Sequence, residues 1–275
     1  MQGGDATEAP RREPGADAER DDSRLLALLL ALGEALLSAG AETERVEDTA
    51  VRVAAAYGHT GVEAFAVPTG VFLSIDSGRT TGLRRVQSRG MDLGRLVAWN
   101  DLARRLSSDH PPIAEAEAWF ERVRGEPSPY PVWTAPVLAG VGNAAFTYLI
   151  GGRMSEAALA FVAGLVVQAA VRGVGQDFVR RFFHSAGGGF AAVVVAAAGS
   201  HVLPDVRPFM VVTGGIVLLL PGLSLTAAVR DMLSGDFIAG GARTLEAVVS
   251  TAALAAGVAL ATSLLLRHPL PPGPL

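Results

Sequence analysis

Five apolar stretches fill the second half of the chain, and nothing else in the sequence constrains its fold as much. Val132 to Ile150 runs 19 residues without a formal charge, Phe182 to Leu203 runs 22, Pro208 to Val229 runs 22 and Ala247 to Leu266 runs 20, while Ala157 to Val171 is a shorter run of 15. A helix needs about 20 apolar residues to cross the hydrocarbon core of a bilayer. Of the chain's charged residues, 23 basic and 27 acidic, only 14 lie from Pro131 onward. A soluble domain interleaves charge with apolar residues along every element, because each element shows one face to water. Residues 132–266 therefore predict a membrane α-helical bundle of five transmembrane helices, and the abundant Gly and Ala suits close helix packing there.

The charge-rich half is organised differently. Residues 1–23 hold seven acids and three arginines among Gly, Ala and Pro, without apolar periodicity, which predicts a disordered acidic tail. It lacks the basic start and early apolar run of a secretory signal. Leu25 to Leu32 is too short to span before Glu34 interrupts it, and predicts a buried helix in a soluble domain. Residues 24–125 predict that domain as α+β. Helices are expected over 24–38, closed by Gly40, and over 43–57, closed by Gly58. Val62 to Val67, Val71 to Ile75 and Leu83 to Gln87, separated by Pro-Thr-Gly and Asp-Ser-Gly turn signals, predict a small antiparallel sheet. Helices return over 92–107 and 113–124, broken by Pro111 and Pro112. Residues 126–131 are a linker and 267–275 a Pro-rich tail.

Arginine placement sets an expected orientation. With the N-terminal domain in the cytoplasm, Arg122, Arg124, Arg172, Arg180, Arg181, Arg230 and Arg243 fall on the inside, against Arg153, Arg207 and Arg267 outside. This predicts a bacterial plasma-membrane protein with a cytoplasmic N-terminal domain and its C-terminus outside. An odd number of spans also implies that a homologous second set of five, whether another polypeptide or a second copy, would lie inverted against this one, as in many secondary transporters.

Several chemistries are excluded. There is no cysteine for thiolate catalysis or disulfides. All basic residues are arginine, so no Walker A lysine exists. Gly222 to Thr226, GLSLT, departs from the nucleophile elbow at its last position. No spacing among the five histidines matches a metal site, and no basic surface points to nucleic acid. No enzyme activity and no cofactor are expected.

The most informative stretch is residues 214–237, GGIVLLLPGLSLTAAVRDMLSGDF. Pro221 lacks an N–H and Gly222 lowers helix stability, so the fourth apolar stretch should break there. The N-terminal end of a half-helix presents N–H donors to an anion. Ser224 and Thr226 can cap that end or bond a ligand, Arg230 can complement a carboxylate, and Asp231 can hold Arg230 or relay a proton. The alternative is a simple kink, with Arg230 and Asp231 at the helix end. Asn143 and Gln168 can line a path or act as interhelical glue. Asp177, Asp205 and Asp236 are expected in loops.

LLLALGEALLSAGAETERVEDTAVRVAAAYG, VEAFAVPTGVFLSI, LRRVQSRGMDLGRLVAWNDL and LLLPGLSLTAAVRDMLSGDFIAGGARTLEA together resemble the threonine/serine exporter family in its N-terminal-half, unfused form. The resemblance implies a cytoplasmic domain followed by five spans, a second five-span half fused or separate, and export of threonine and serine or, in a two-component relative, of succinate. It leaves Glu42, Glu44 and Arg45 as either a solvated helix face or a substrate or gating surface. The expectation is a subunit of an inner-membrane secondary exporter of small carboxylate-bearing metabolites, in which Arg230→Ala abolishes efflux; the rival from another class is a membrane-anchored ligand sensor or scaffold.

Overall fold

Leu25, Leu26, Leu28, Leu29, Leu30 and Leu32 are all buried, too many for one face of a helix. The computed structural model, which describes residues 16–75, 80–87, 90–127, 130–171 and 178–265, covers that helix on several sides. Two compact units emerge: Met1–Ala41, Arg45–Val86 and Met91–Gly125 form the first, and Glu42–Glu44, Gln87–Gly90 and Glu126–Leu275 the second.

In the first unit, α1 spans Ala16–Ser38. It begins ahead of the expected Arg24. Residues 1–15 of the expected tail lie outside the described residues. Gly40 and Gly58 sit at φ 98° and 90° after α1 and after α2 (Thr43–Ala56), a left-handed backbone that glycine adopts without steric cost. Strands β1 (Glu63–Val67), β2 (Gly70–Ile75) and β3 (Thr80–Arg85) form an antiparallel sheet in that order. The third starts ahead of the predicted Leu83, since Thr80 and Thr81 pair with Ile75 and Ser74; the Asp76-Ser77-Gly78 turn lies outside the described residues.

The strand period of two sorts the sheet faces. Ala66, Val71, Leu73 and Ile75 join the leucines of α1 in the core, and Arg84 on that side is ion-paired to Glu34. Helices α3 (Leu93–Asp109, capped by Asp92) and α4 (Ile113–Gly125) complete the core, with Trp99 stacked on Phe120 at 5.0 Å between ring centroids. A Cβ at Gly82 would run into Leu30 and Leu26 of α1. Gly82→Ala is therefore expected to destabilise the unit by about 1–3 kcal/mol through overpacking, read as a lower unfolding midpoint of the detergent-solubilised chain.

The second unit is helical. Helices α5 (Thr134–Leu149), α6 (Met154–Val171), α7 (Phe178–Val202), α8 (Pro208–Ile216), α9 (Gly222–Leu233) and α10 (Phe237–Leu265) correspond to the five apolar stretches, the fourth being split between α8 and α9. By length and composition, Phe182–Val202 and Phe237–Leu265 can each cross a membrane, Pro208–Leu219 with Gly222–Leu233 forms one bent pair that qualifies together, and Met154–Ala169 is a shorter apolar helix. Among the described residues two or three spans thus pass on these grounds where five were expected. Helix α10 begins at Phe237 instead of Ala247: Asp236 accepts from the N–H of Ala239 at 2.9 Å and caps it, drawing Arg243 and Glu246 into the helix. Small residues let the helices approach closely. Gly164 packs on Gly140 between α6 and α5, and Gly257 on Ala186 between α10 and α7. Of the residues used for orientation, Arg172 and Arg267 lie outside the described residues, as do Asp177 and the Pro-rich tail.

Candidate functional site

The predicted break is present. After α8 the chain tightens into a 3-10 turn, Val217–Leu219, and Leu220 becomes extended at ψ 132°. The residue before a proline is pushed out of the helical region by the ring. Helix α9 restarts at Gly222, and the two halves meet at 47°. Pro221 occupies the cap position and its side chain makes no capping bond. Ser224 and Thr226, expected to cap this end or bond a ligand, both fall past the cap position; Ser224 is half-buried, and Thr226 donates its hydroxyl back to the Gly222 carbonyl at 3.0 Å.

Arg230 and Asp231 lie at the far end of α9, about 15 Å from Pro221 at 1.5 Å per residue, and they face different ways. Arg230 is 64% exposed and ion-paired to Glu42, a member of the same unit. Asp231 is only 2% exposed and pairs at 2.8 Å with Arg243 of α10, whose side chain is 13% exposed. Asp231 therefore does not hold Arg230. Asp236, in the loop as expected, accepts from the Thr43 hydroxyl at 2.6 Å while capping α10.

Asn143 on α5 is buried, and its amide donates to the Gly215 carbonyl of α8 at 2.9 Å, one turn before the break. Thr147 is buried beside it and donates to the Asn143 carbonyl at 2.8 Å. The Asn143 side chain thus ties α5 to α8, with its Oδ1 buried and without a hydrogen-bond partner among the described residues. Gln168 on α6 is half-buried.

A threonine/serine exporter family model matches residues 27–265, taking in both units and the broken helix. The chain belongs to the threonine/serine exporter family. It is 28% identical over 251 residues to the "Probable threonine/serine exporter" of Mycobacterium tuberculosis, covering 90% of this chain and 47% of that protein. It is 26% identical over 272 residues to the "Threonine/serine exporter" of Corynebacterium glutamicum, covering 94% of this chain and 56% of that one. The chain thus spans about half the length of these two relatives. It is also 24% identical over 244 residues to the "Probable succinate transporter subunit YjjP" of Escherichia coli K12, covering 86% and 93%. No solved structure matches. Exporter kinship and long apolar helices support a membrane location for the chain.

Within this family member, sequence reasoning missed two charged pairs. Glu156, at 0% exposure, accepts from the N–H of Arg153 at 2.7 Å, from the N–H of Arg207 at 2.9 Å, and from the Arg207 guanidinium at 2.8 Å through each carboxylate oxygen. This carboxylate clasps the α5–α6 turn to the α7–α8 turn. Its signal was a single acid at the edge of an apolar stretch, where an unpaired charge is costly and implies a partner. Arg243 was counted only as a flanking charge.

Proposed function

We propose that the chain is a subunit of an inner-membrane secondary exporter of small carboxylate-bearing metabolites, with threonine and serine as its leading substrates. In this reading the five apolar stretches of the second unit are five spans, the α+β unit lies in the cytoplasm, the C-terminus lies outside, and a second five-span half or a second copy completes the pathway. The observation that carries it is the family match running through the broken helix at Pro221 and Gly222. The freed backbone at a helix break is tolerated at membrane depth only where it faces protein or water, the setting in which transporters hold substrate. Asn143, Gln168 and Ser224 are the polar residues available beside that path. Succinate is the second reading, supported by similarity to the succinate subunit over 93% of that protein's length.

The Glu42–Arg230 pair is the proposed gating contact. Because Arg230 is exposed and held by Glu42, Arg230→Ala is expected to slow threonine efflux about tenfold, within the usual range of a coupling energy, instead of abolishing it. Efflux from cells expressing the full chain, normalised to membrane-inserted protein, checks this. Unchanged efflux would remove the pair from the mechanism. The exporter reading itself is tested by counterflow of radiolabelled threonine, serine and succinate in proteoliposomes, alone and with a family member supplying the second half. Saturable binding without counterflow would favour the sensor or scaffold.

A further inference from the structure

We infer that the outer face of the three-stranded sheet is the surface on which a second copy of this chain docks, related by a two-fold axis, with Phe72 on Phe72 at the axis and Glu63 of each copy on Arg85 of the other. The inference uses only the α+β unit and stands whatever the substrate.

Strand alternation turns Ala66, Val71, Leu73 and Ile75 toward α1 and leaves the other set outward. Along the middle of that outer face Phe65, Phe72 and Leu83 sit side by side, paired in register across all three strands. They are 54%, 42% and 61% exposed, and the two phenylalanine rings pair at 6.0 Å between centroids. Apolar residues exposed singly need no explanation. A contiguous cross-strand row of large ones, on the side of a sheet that normally carries polar residues to water, is the pattern of an interaction surface.

The charges on this face say what covers it. Val67, Ser74 and Thr81 are uncharged, so the charges of the face are Glu63 and Arg85, both exposed. Register places Glu63 level with Ser74 and Thr81 at one end of the face, and Arg85 level with Gly70 and Val67 at the other end, on the opposite edge strand. They are opposite corners, and Phe72 is the midpoint between them. A two-fold axis through Phe72 exchanges those corners between two copies laid face to face, so each carboxylate meets a guanidinium. The two apolar rows then cross at Phe72, as in sheets packed at a steep angle. A face with one charge of each sign does not suit an anionic lipid surface or a nucleic acid, which both call for clustered basic residues. Edge pairing at β1 is blocked, because the Ala66 N–H is taken by the Glu47 carboxylate at 2.7 Å.

Area sets the strength of the contact. Three half-exposed side chains of this size offer about 300 Å² of apolar surface per copy, against roughly 800 Å² per partner in a stable complex of soluble proteins. Copies held in one membrane meet at a high effective concentration and need less. The contact therefore belongs to membrane-inserted copies.

The chain contains no cysteine, so engineered ones report alone. The experiment mixes full-length Glu63→Cys and Arg85→Cys copies in proteoliposomes and treats them with a bis-maleimide of about 10 Å reach, the spacing of facing sheets. One native Glu63–Arg85 pair survives in such a dimer. Its linked product is expected at several times the yield of Val51→Cys mixed with Arg85→Cys, which puts one cysteine on the exposed side of α2. Glu63→Cys alone is expected to stay at that baseline, because the axis holds its two copies roughly 16 Å apart across the face. Adding Glu63→Arg to the Arg85→Cys copy sets two guanidiniums together and is expected to cut the yield of the mixture about tenfold. Adding Arg85→Glu to the Glu63→Cys copy as well is expected to restore it. Every position changed is exposed, so these variants leave the core intact. A mixture that links no better than the Val51→Cys baseline overturns the proposal, and so does a charge reversal that leaves the yield unchanged. Loss of the dimer when a family member supplying the second half is co-inserted overturns it too, since the face then belongs to that partner. Quenching of a fluorophore on Thr81→Cys by spin-labelled lipid does the same, by making the membrane surface the occupant.

Discussion

Arg207→Ala is expected to lower the unfolding midpoint of the folded chain, because the Glu156 carboxylate, at 0% exposure, loses its charged partner. Glu156 is fully buried and depends on four interactions, two from backbone N–H groups and two from the Arg207 guanidinium. Removing the guanidinium leaves the carboxylate with its two backbone N–H bonds alone. The reverse change is milder, because Arg207 is 47% exposed and can be solvated where it stands. Glu156→Gln should therefore cost less than Arg207→Ala, and adding it to Arg207→Ala should recover part of the loss by discharging the stranded group. A double-mutant cycle on unfolding in detergent measures this directly. Equal and additive losses would mean that the clasp is a solvated surface contact.

The second large effect concerns the break. Replacing Pro221 and Gly222 together with alanine restores an N–H at the break and removes the residue of lowest helix propensity after proline, so a continuous helix becomes favourable. The 47° bend between the two halves should straighten. Asn143 is tied to the Gly215 carbonyl just before the break, so straightening pulls on α5 as well. Threonine efflux is expected to fall roughly 100-fold, since displacements of about 1 Å at a positioned site can cost that much, while membrane-inserted protein stays near wild type. Efflux within a few fold of wild type would reduce the break to a kink.

Much of this architecture was legible because it is written in periods and breakers. The helix starts at Thr43 and Ile113, the turns at Gly40 and Gly58 and the interruption at Pro221 all follow from local backbone preferences. Partner choice was not legible in the same way. Arg230 and Asp231 are adjacent in sequence, yet successive residues on a helix point about 100° apart, so one reaches Glu42 at the surface and the other Arg243 inside. Arg243 read as a flanking charge because its distance from the apolar run starting at Ala247 hid the fact that α10 begins at Phe237. Glu156 and Arg207 lie 51 residues apart, and no periodicity links ends of different helices. Asn143 carried two readings, and the Gly215 carbonyl that its amide meets lies 72 residues away, out of reach of any local signal.

The arginine bookkeeping similarly became more useful one residue at a time. Arg207, counted as an outside charge, is the clasp of two turns, and Arg243, counted as an inside charge, sits buried against Asp231. Arginine counts predict orientation; they do not show which charges are paired inside the bundle.

The most direct test of the central claim is L-threonine counterflow in proteoliposomes containing the full chain, with and without a family member that supplies a second five-span half. The account predicts saturable counterflow that serine competes away and that the Pro221→Ala/Gly222→Ala chain loses. Absence of counterflow for threonine, serine and succinate in both preparations, from protein that is folded and inserted, would contradict it.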